Sequence, residues 1–318
     1  MCLSQIYKSP INYTGNKFRI LPQYINLFPK NVNKCIDLFT GGSTIAINIV
    51  ANEIIAVDKN KYIINLLKFI QKQEYNKLIN NIDEILEKYN LSNSYKYGYS
   101  FYKEYVNGNN GLKEYNKNGF ELLKKDYNNL KNKNSQSANL YLYLLIIYGF
   151  NNDIRFNSKG QFNLPVGKTD MNKNNRNKLK EYIDICNLKR ITYINKDFRK
   201  IENIDLSNID FVYADPPYLI TNAVYNENDG WTRKDEKDLL KFLDYLDKNK
   251  VKFALSNVLE KKRINLKNDI LDQWINKNKD KYFVHDIEYN YKSSSYNKKE
   301  RDSGEREVLI INYKLEAK

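Results

Sequence analysis

The chain has 318 residues, enough for a full-sized core and for either one large domain or a catalytic domain with a smaller lobe. Its 52 Lys and Arg against 38 Asp and Glu give a net charge of +14, which points to a polyanion such as nucleic acid, although a chain this rich in Lys, Asn, Ile and Tyr would also arise from AT-rich coding DNA. Three scattered cysteines, Cys2, Cys35 and Cys186, argue against a disulfide framework or a zinc knuckle, and the longest apolar run, LYLYLLIIYGF from Leu140, is too short to span a bilayer.

The first residues, MCLSQIYKSP, lack the apolar centre of a secretion signal, so a soluble protein in a reducing cytoplasm is expected. Four short apolar runs, each ending at Gly, Asp or Pro, read as buried parallel strands: KCIDLFTGG, EIIAVDKN, RITYINKDF and DFVYADPPY. The stretch STIAINIVAN between the first two has helix length, so residues 34–58 form an expected βαβ unit, and KYIINLLKFIQ follows as an amphipathic helix. From about Gln71 to Glu181 the alternation stops. This part carries NGNNG and NKNG turns and reads as an inserted lobe, with low-complexity surface as the other reading for some of it. Further on, TRKDEKDLLKFLDYLDKNK predicts a helix N-capped by Thr232, and VKFALSN a strand. YFVHDIEYNY and REVLIINYKL predict an antiparallel hairpin at the sheet edge around the polar loop KSSSYNKKERDSGE. The sum is an α/β sheet with a reversed final strand. His285, the single histidine, falls in a strand with no partner motif for nucleophilic catalysis and reads as structural.

The motif DLFTGGSTIA puts Gly41 and Gly42 where the first strand turns into a helix, so that backbone can approach a ligand. It is neither G-x-G-x-x-G nor a P-loop. Asp58 ends the second strand, where a carboxylate can accept both ribose hydroxyls of an adenosine; an N-cap for the next helix is the other reading. Asp58 alone does not separate NAD from S-adenosylmethionine. Asp215 follows FVYA at the C-terminal edge of the sheet, and Pro216 and Pro217 fix two φ angles and remove two N–H donors. The turn is therefore expected to present two acceptors, the Asp215 carboxylate and the Pro216 carbonyl, with no competing donor and with Tyr218 as a flat face beside them. Two acceptors suit an NH2 group. An exocyclic amine on a nucleobase is a poor nucleophile because its lone pair is delocalised, and acceptors that hold its hydrogens expose that pair to an electrophilic methyl. A paired base reaches such a pocket only by flipping out and stacking on Tyr218. A merely stiff strand exit is the bland alternative.

The segments YTGNKFRIL, DLFTGGS, AVDKN, NKDF, NNDIRFNSKGQFNLPVGK, DPPY, ALSNVLE and REVLIINY occur in this order, and with them nearly the whole chain resembles the Dam and DpnII-type adenine-N6 DNA methyltransferases, the D12 class with the α order of motifs. The resemblance implies a Rossmann-like methyltransferase sheet with a reversed C-terminal strand and an inserted, mainly helical target-recognition lobe. Residues 1–70 and 182–318 would form the discontinuous catalytic domain, and 71–181 the recognition domain. It implies catalytic roles for Asp215, Pro216 and Tyr218, and contacts to S-adenosyl-L-methionine from Tyr13, Lys17, Phe39, Gly41, Asp58, Asp197, Phe198 and Asp215. DNA contacts are implied for Phe150, Asn151 and Arg155. Lys17 also reads as a phosphate contact or a solvated face, and Phe198 as core. Arg155 suits bidentate contact with guanine O6 and N7, or a phosphate; Phe150 suits a wedge into the emptied stack, or the core. Many relatives have Asn-Gly where this chain has Asn151-Asn152, and Asn tolerates positive φ less readily than Gly, so the shape of that turn is open.

The expected reaction is methyl transfer to adenine N6 in a short duplex sequence, GATC by resemblance, with no metal and no strong general base, since a methylated ammonium loses its proton readily. Methylation of another planar amine (cytosine N4, RNA adenine, a protein glutamine), a non-catalytic DNA-binding module and a nicotinamide oxidoreductase are the alternatives. The expected partners are double-stranded DNA and, genetically, a cognate restriction endonuclease, with no membrane. Lys292, Lys298, Lys299 and Arg301 are expected either to touch flanking phosphates or to be a solvated loop.

Overall fold

The structure is a computed structural model that describes residues 5–106, 108–203, 206–220, 230–288 and 304–315. Cys2 and the basic loop with Lys292, Lys298, Lys299 and Arg301 lie outside the described residues.

The chain begins with α1 (Leu21–Leu27), β1 (Val32–Asp37), α2 (Thr44–Asn48), β2 (Ala51–Asp58) and α3 (Lys61–Gln71). It continues through α4 (Tyr75–Lys88), α5 (Ser94–Tyr97), α6 (Lys113–Asn129), α7 (Gln136–Tyr148) and α8 (Lys173–Leu188). The sheet resumes with β3 (Arg190–Asn195) and β4 (Phe211–Ala214), followed by α9 (Arg233–Lys248), β5 (Lys252–Lys261), β6 (Leu266–Lys267), α10 (Asp269–Lys277), β7 (Phe283–Ile287) and β8 (Glu305–Ile311).

The sheet runs β3-β2-β1-β4-β5-β8-β7, with the short β6 paired to β5. Strands β3, β2, β1, β4 and β5 are parallel, and β8 is antiparallel to both β5 and β7. All four runs read as parallel strands are in this sheet, and the last strand is reversed as expected. Its place is inside the sheet, between β5 and β7, which leaves β7 at the edge.

Period-two alternation explains the two cores. In β4, Phe211 and Tyr213 face one cluster with Cys35, Ile54, Leu309 and Ile311, while Val212 and Ala214 face the other with Ile36, Val57, Phe253 and Ile310. The first cluster is covered by α1, α2, α3, α7 and α8, the second by α9 and α10. A strand such as FVYA, buried on both faces, must be apolar throughout, each side chain worth about 1.5–3 kcal/mol of burial. The run LYLYLLIIY is α7, buried all round as the central helix between α3 and α6, which is why it has no polar face. No helix among the described residues is long and apolar enough to cross a membrane.

Candidate active site

Parallel strands bring their C-terminal ends to one sheet edge, and there a cavity of about 1300 Å³ opens. It is lined by Tyr13, Lys17, Phe39, Gly41, Asp58, Asp197, Phe198, Asp215, Pro216 and Tyr218, so all the residues expected at the cofactor and the catalytic corner meet in it.

At the β1 end, Gly41 adopts φ +47°, and a Cβ there would sit 2.7 Å from Cδ1 of Tyr13. Both the turn and the packed Tyr13 ring require glycine. Gly41 N–H donates to Asp58 Oδ2 at 3.0 Å and Asn60 N–H to Oδ1 at 2.8 Å. The side chain that caps α3 is that of Asn60, which accepts from Tyr62 and Ile63 N–H. The capping alternative for Asp58 is thereby removed, and each of its oxygens retains a lone pair for a further donor. Burial raises the Asp58 carboxyl, opposed by the two backbone N–H groups.

Asp37, which sequence reading passed over inside DLFTGG, is the most unusual group here. Its Oδ2 accepts from Thr40 Oγ1 at 2.7 Å and Ala46 N–H at 3.2 Å, whereas the buried Oδ1 has no partner among the described residues. Burial, against the Thr40 bond, pushes its pKa up to about 7. A buried acceptor left open at a cavity wall calls for a ligand donor.

Three rings meet on another part of the wall. Phe39 lies 5.4 Å from Phe198 and 5.7 Å from Trp231, and Phe198 lies 5.7 Å from Trp231. Phe198 is thus both buried and cavity-lining. Trp231, also missed in the sequence, is held by its Nε1–H donating to Glu236 Oε2 at 2.5 Å, a buried carboxylate that also accepts from Asn257 and Asn268. The predicted Thr232 cap is present as a capping box with Asp235, and it anchors the start of α9 beside this wall. Arg199, next to Phe198, binds Asp197, Asp235 and Asp238.

At the end of β4 one expectation is corrected. The two prolines do remove backbone donors, but Asp215 is not free of donors: Tyr218 Oη donates to its Oδ1 at 2.9 Å and the Lys17 ammonium lies 3.2 Å from the same oxygen. The reason is partly local, because Tyr218 turns its hydroxyl back onto the acid three residues before it, and partly non-local, because the N-terminal segment inserts Lys17 at the strand ends. Asp215 Oδ2 keeps no donor among the described residues. Lys17 is 4 % exposed, which excludes a solvated face, and it also contacts Glu307 Oε1 at 3.2 Å and the Tyr218 hydroxyl. Its three N–H groups are therefore engaged. Burial lowers its pKa, but Asp215 and Glu307 outweigh this and the net shift is upward. The Tyr218 ring carries the Lys17 ammonium 4.7 Å from its centroid, and its hydroxyl also meets Ser256 Oγ at 3.0 Å. Tyr24, Ser256 and Glu307, none singled out by sequence, complete this polar cluster.

The residues expected at DNA divide. Arg155 lines the same cavity, with its Nε donating to Asn163 Oδ1 at 3.0 Å. Beside it Phe156 stacks on Tyr62, ring centroids 4.0 Å apart and 17° from coplanar, joining this segment to the first turn of α3. Phe150 and Asn151 are exposed and not part of the cavity wall; an exposure of 47 % removes the core reading of Phe150. Asn151 and Asn152 both take positive φ, 56° and 54°. The turn thus keeps a left-handed shape without glycine. Asn152 offsets the roughly 1–2 kcal/mol conformational cost by donating to Ile147 O and to Thr169 Oγ1 at 2.8 Å.

A mostly parallel sheet in this order, with its reversed strand inserted next to β5, and with a glycine turn, a strand-end acid and an Asp-Pro-Pro-Tyr corner open to one cavity, has a Rossmann-like methyltransferase fold. The model of the D12 class N6 adenine-specific DNA methyltransferases matches residues 13–300, and the chain belongs to that family. It is 35 % identical over 312 residues to Type II methyltransferase M.FokI of Planomicrobium okeanokoites and 34 % over 313 residues to Modification methylase StsI of Streptococcus sanguinis, in each case 96 % of this chain and 43 % of the relative. It is 29 % identical over 276 residues to Modification methylase LlaI of Lactococcus lactis subsp. lactis, 84 % of this chain and 39 % of that protein. The chain thus spans less than half the length of these three relatives. Among the described residues no group of His, Cys, Asp and Glu could hold a metal ion.

Proposed function

We propose that the chain transfers a methyl group from S-adenosyl-L-methionine to N6 of an adenine flipped out of a short duplex DNA sequence. The observation that carries this reading is the open Oδ2 of Asp215, on a corner without backbone donors, in the same cavity as Gly41 and Asp58.

The cofactor fits the donors and acceptors present. Asp58 has lone pairs for two ribose hydroxyls, Phe39, Phe198 and Trp231 offer faces for adenine with Asp197 at its border, and Asp37 Oδ1 is the acceptor for the α-ammonium. Tyr13 and Gly41 form the floor between them. When bound, the cofactor supplies the electrophilic methyl. The corner then holds the adenine amine on Asp215 Oδ2 and the Pro216 carbonyl, which moves nitrogen density out of the ring and aims it at the methyl. Tyr218 borders the flipped base, and Lys17 acts from behind Asp215.

Residues 71–181 serve in this reading as the recognition lobe, with 1–70 and 182–318 as the catalytic domain; α8 runs across the join and packs on α2 and β3. Phe150 and Asn151 sit on the exposed turn that faces the duplex, and Arg155 reads a base near the cavity. GATC is the first sequence to test. A cytoplasmic setting and a cognate restriction endonuclease as genetic partner belong to this reading; StsI and LlaI, to which the chain is similar, are named modification methylases. Expression in a methylation-free host followed by single-molecule mapping of modified bases tests the whole reading; genomic DNA without N6-methyladenine overturns it, and N4-methylcytosine in its place would reassign the substrate.

Two side chains give separate tests. The chain has two tryptophans, Trp231 and Trp274, so binding of S-adenosylhomocysteine is expected to quench emission in the wild type and not in Trp231→Phe. Trp231→Ala should lower that affinity by about 1–3 kcal/mol, as for other base–aromatic stacks, measured by calorimetry. Arg155→Ala should lose about 1–3 kcal/mol of discrimination at one base pair, measured as relative kcat/KM on single-substituted duplexes. A loss uniform over all sequences would mark Arg155 as a phosphate contact.

A further inference from the structure

By its period of two, β8 places Glu307 on the same face as Leu309 and Ile311, which are core. An acid at such a position is costly to bury unless it is paired, and it adds nothing that an apolar side chain would not. Glu307 is 5 % exposed and accepts from the Tyr24 hydroxyl at 2.8 Å; its Oε1 lies 3.2 Å from Lys17 Nζ. Lys17 lies at the same distance from Asp215 Oδ1. Two carboxylates thus face one ammonium, and one negative charge in the cluster stays uncompensated.

We propose that Glu307 is a positioning residue for methyl transfer: by holding the Lys17 ammonium from the far side, it leaves the Asp215 carboxylate basic enough to take the proton released from the methylated nitrogen. The proposal rests on the adenine-N6 reading above. In the step concerned, the nitrogen lone pair forms the new N–C bond while the methyl–sulfur bond breaks and leaves its electron pair on sulfur. As that bond forms and positive charge grows on nitrogen, the N–H proton held by Asp215 Oδ2 passes to the carboxylate, the N–H pair stays on nitrogen, and the carboxyl later returns the proton to water.

The groups around Asp215 support this assignment. Lys17 comes from the N-terminal segment, Tyr218 from its own turn, Tyr24 from α1, Asp37 from β1, Tyr213 from β4, Ser256 from β5 and Glu307 from β8. Burial raises the Asp215 carboxyl, Lys17 lowers it, and Glu307 raises it again. Without Glu307, Lys17 would belong to Asp215 alone, and a carboxylate in a tight pair with an ammonium is a weak base.

The test is the pH profile of the single-turnover methylation rate of wild type and Glu307→Gln on a modified-site duplex identified by sequencing. The acid limb of E307Q is expected roughly one pH unit below that of the wild type. Its plateau should fall about tenfold, with KM for cofactor and DNA unchanged. An unmoved acid limb overturns the proposal. If E307Q does not fold, Lys17→Met/Glu307→Met removes both charges and fills the same volume. That double variant frees Asp215 from its ammonium and should move the limb upward; an unmoved limb there overturns the proposal equally. A wild type that methylates no adenine in DNA removes the parent reading instead, before any variant is compared.

Discussion

Replacing Asp215 by Ala is expected to slow single-turnover methyl transfer by about 1,000-fold and to leave DNA affinity within about twofold of the wild type. The argument is local. Pro216 and Pro217 have removed the backbone donors at this corner, and Lys17 and Tyr218 occupy only Oδ1, so Oδ2 is the acceptor that can hold a nitrogen hydrogen. With Ala in its place the amine keeps a single carbonyl partner and its lone pair stays in conjugation with the ring. The fold should survive, because Lys17 still pairs with Glu307 and the cluster becomes electrically balanced. DNA binding should survive because the segment around Arg155, proposed above to contact DNA, is held through Asn163 and through the stack of Phe156 on Tyr62, not by Asp215. Filter binding and rapid-quench methylation of the purified variant check both halves; turnover near the wild-type rate would remove Asp215 from the chemistry.

How much of this site could be read from the chain follows from what is local and what is not. A short apolar run ended by Gly or Asp names a parallel strand and its exit, and all such exits share one edge, so Gly41, Asp58, Asp197 and Asp215 could be placed together before any coordinates. The Lys17 partner of Asp215 was not legible, because no spacing rule joins residues so far apart in the chain, whereas Tyr218 stands three residues on in the same motif. A corner without donors leaves out two groups: the Tyr218 hydroxyl, a donor within the motif when Tyr218 is taken only as a flat face, and the ammonium that the N-terminal segment brings in. For Glu307, in REVLIINY, the available signal was an acid in phase with the core residues Leu309 and Ile311. Trp231 had no such signal: only the docking of the start of α9 beside Phe198 makes it a wall. At Asp58 and Asn60 two capping side chains stand two residues apart, and backbone geometry alone decides that Asn60 caps while Asp58 faces the cavity.

Lys17→Met should cost about 3–5 kcal/mol of folding stability at pH 8, the size seen when one partner of a buried ion pair is removed. Lys17 is buried with Asp215 and Glu307 around it, so the methionine fills its volume and leaves the buried Glu307 and the partly buried Asp215 without their cation. The sign with pH follows from linkage. The Lys17 pKa is raised in the fold, so its contribution is fully present below the ordinary lysine pKa of 10.5 and is lost only as pH rises through the folded value. In the variant, Asp215 already has a pKa raised by burial and loses the ammonium that lowered it, so its proton affinity rises further. A carboxyl whose folded pKa lies above its unfolded one stabilises the fold at low pH and loses that contribution as pH rises. The deficit relative to wild type should therefore be larger at pH 8 than at pH 5.5, shrinking as falling pH lets the carboxyl take up its proton. Urea denaturation of both proteins at the two pH values measures it. An equal deficit at both would assign the loss to packing around the methionine and not to the uncompensated charge.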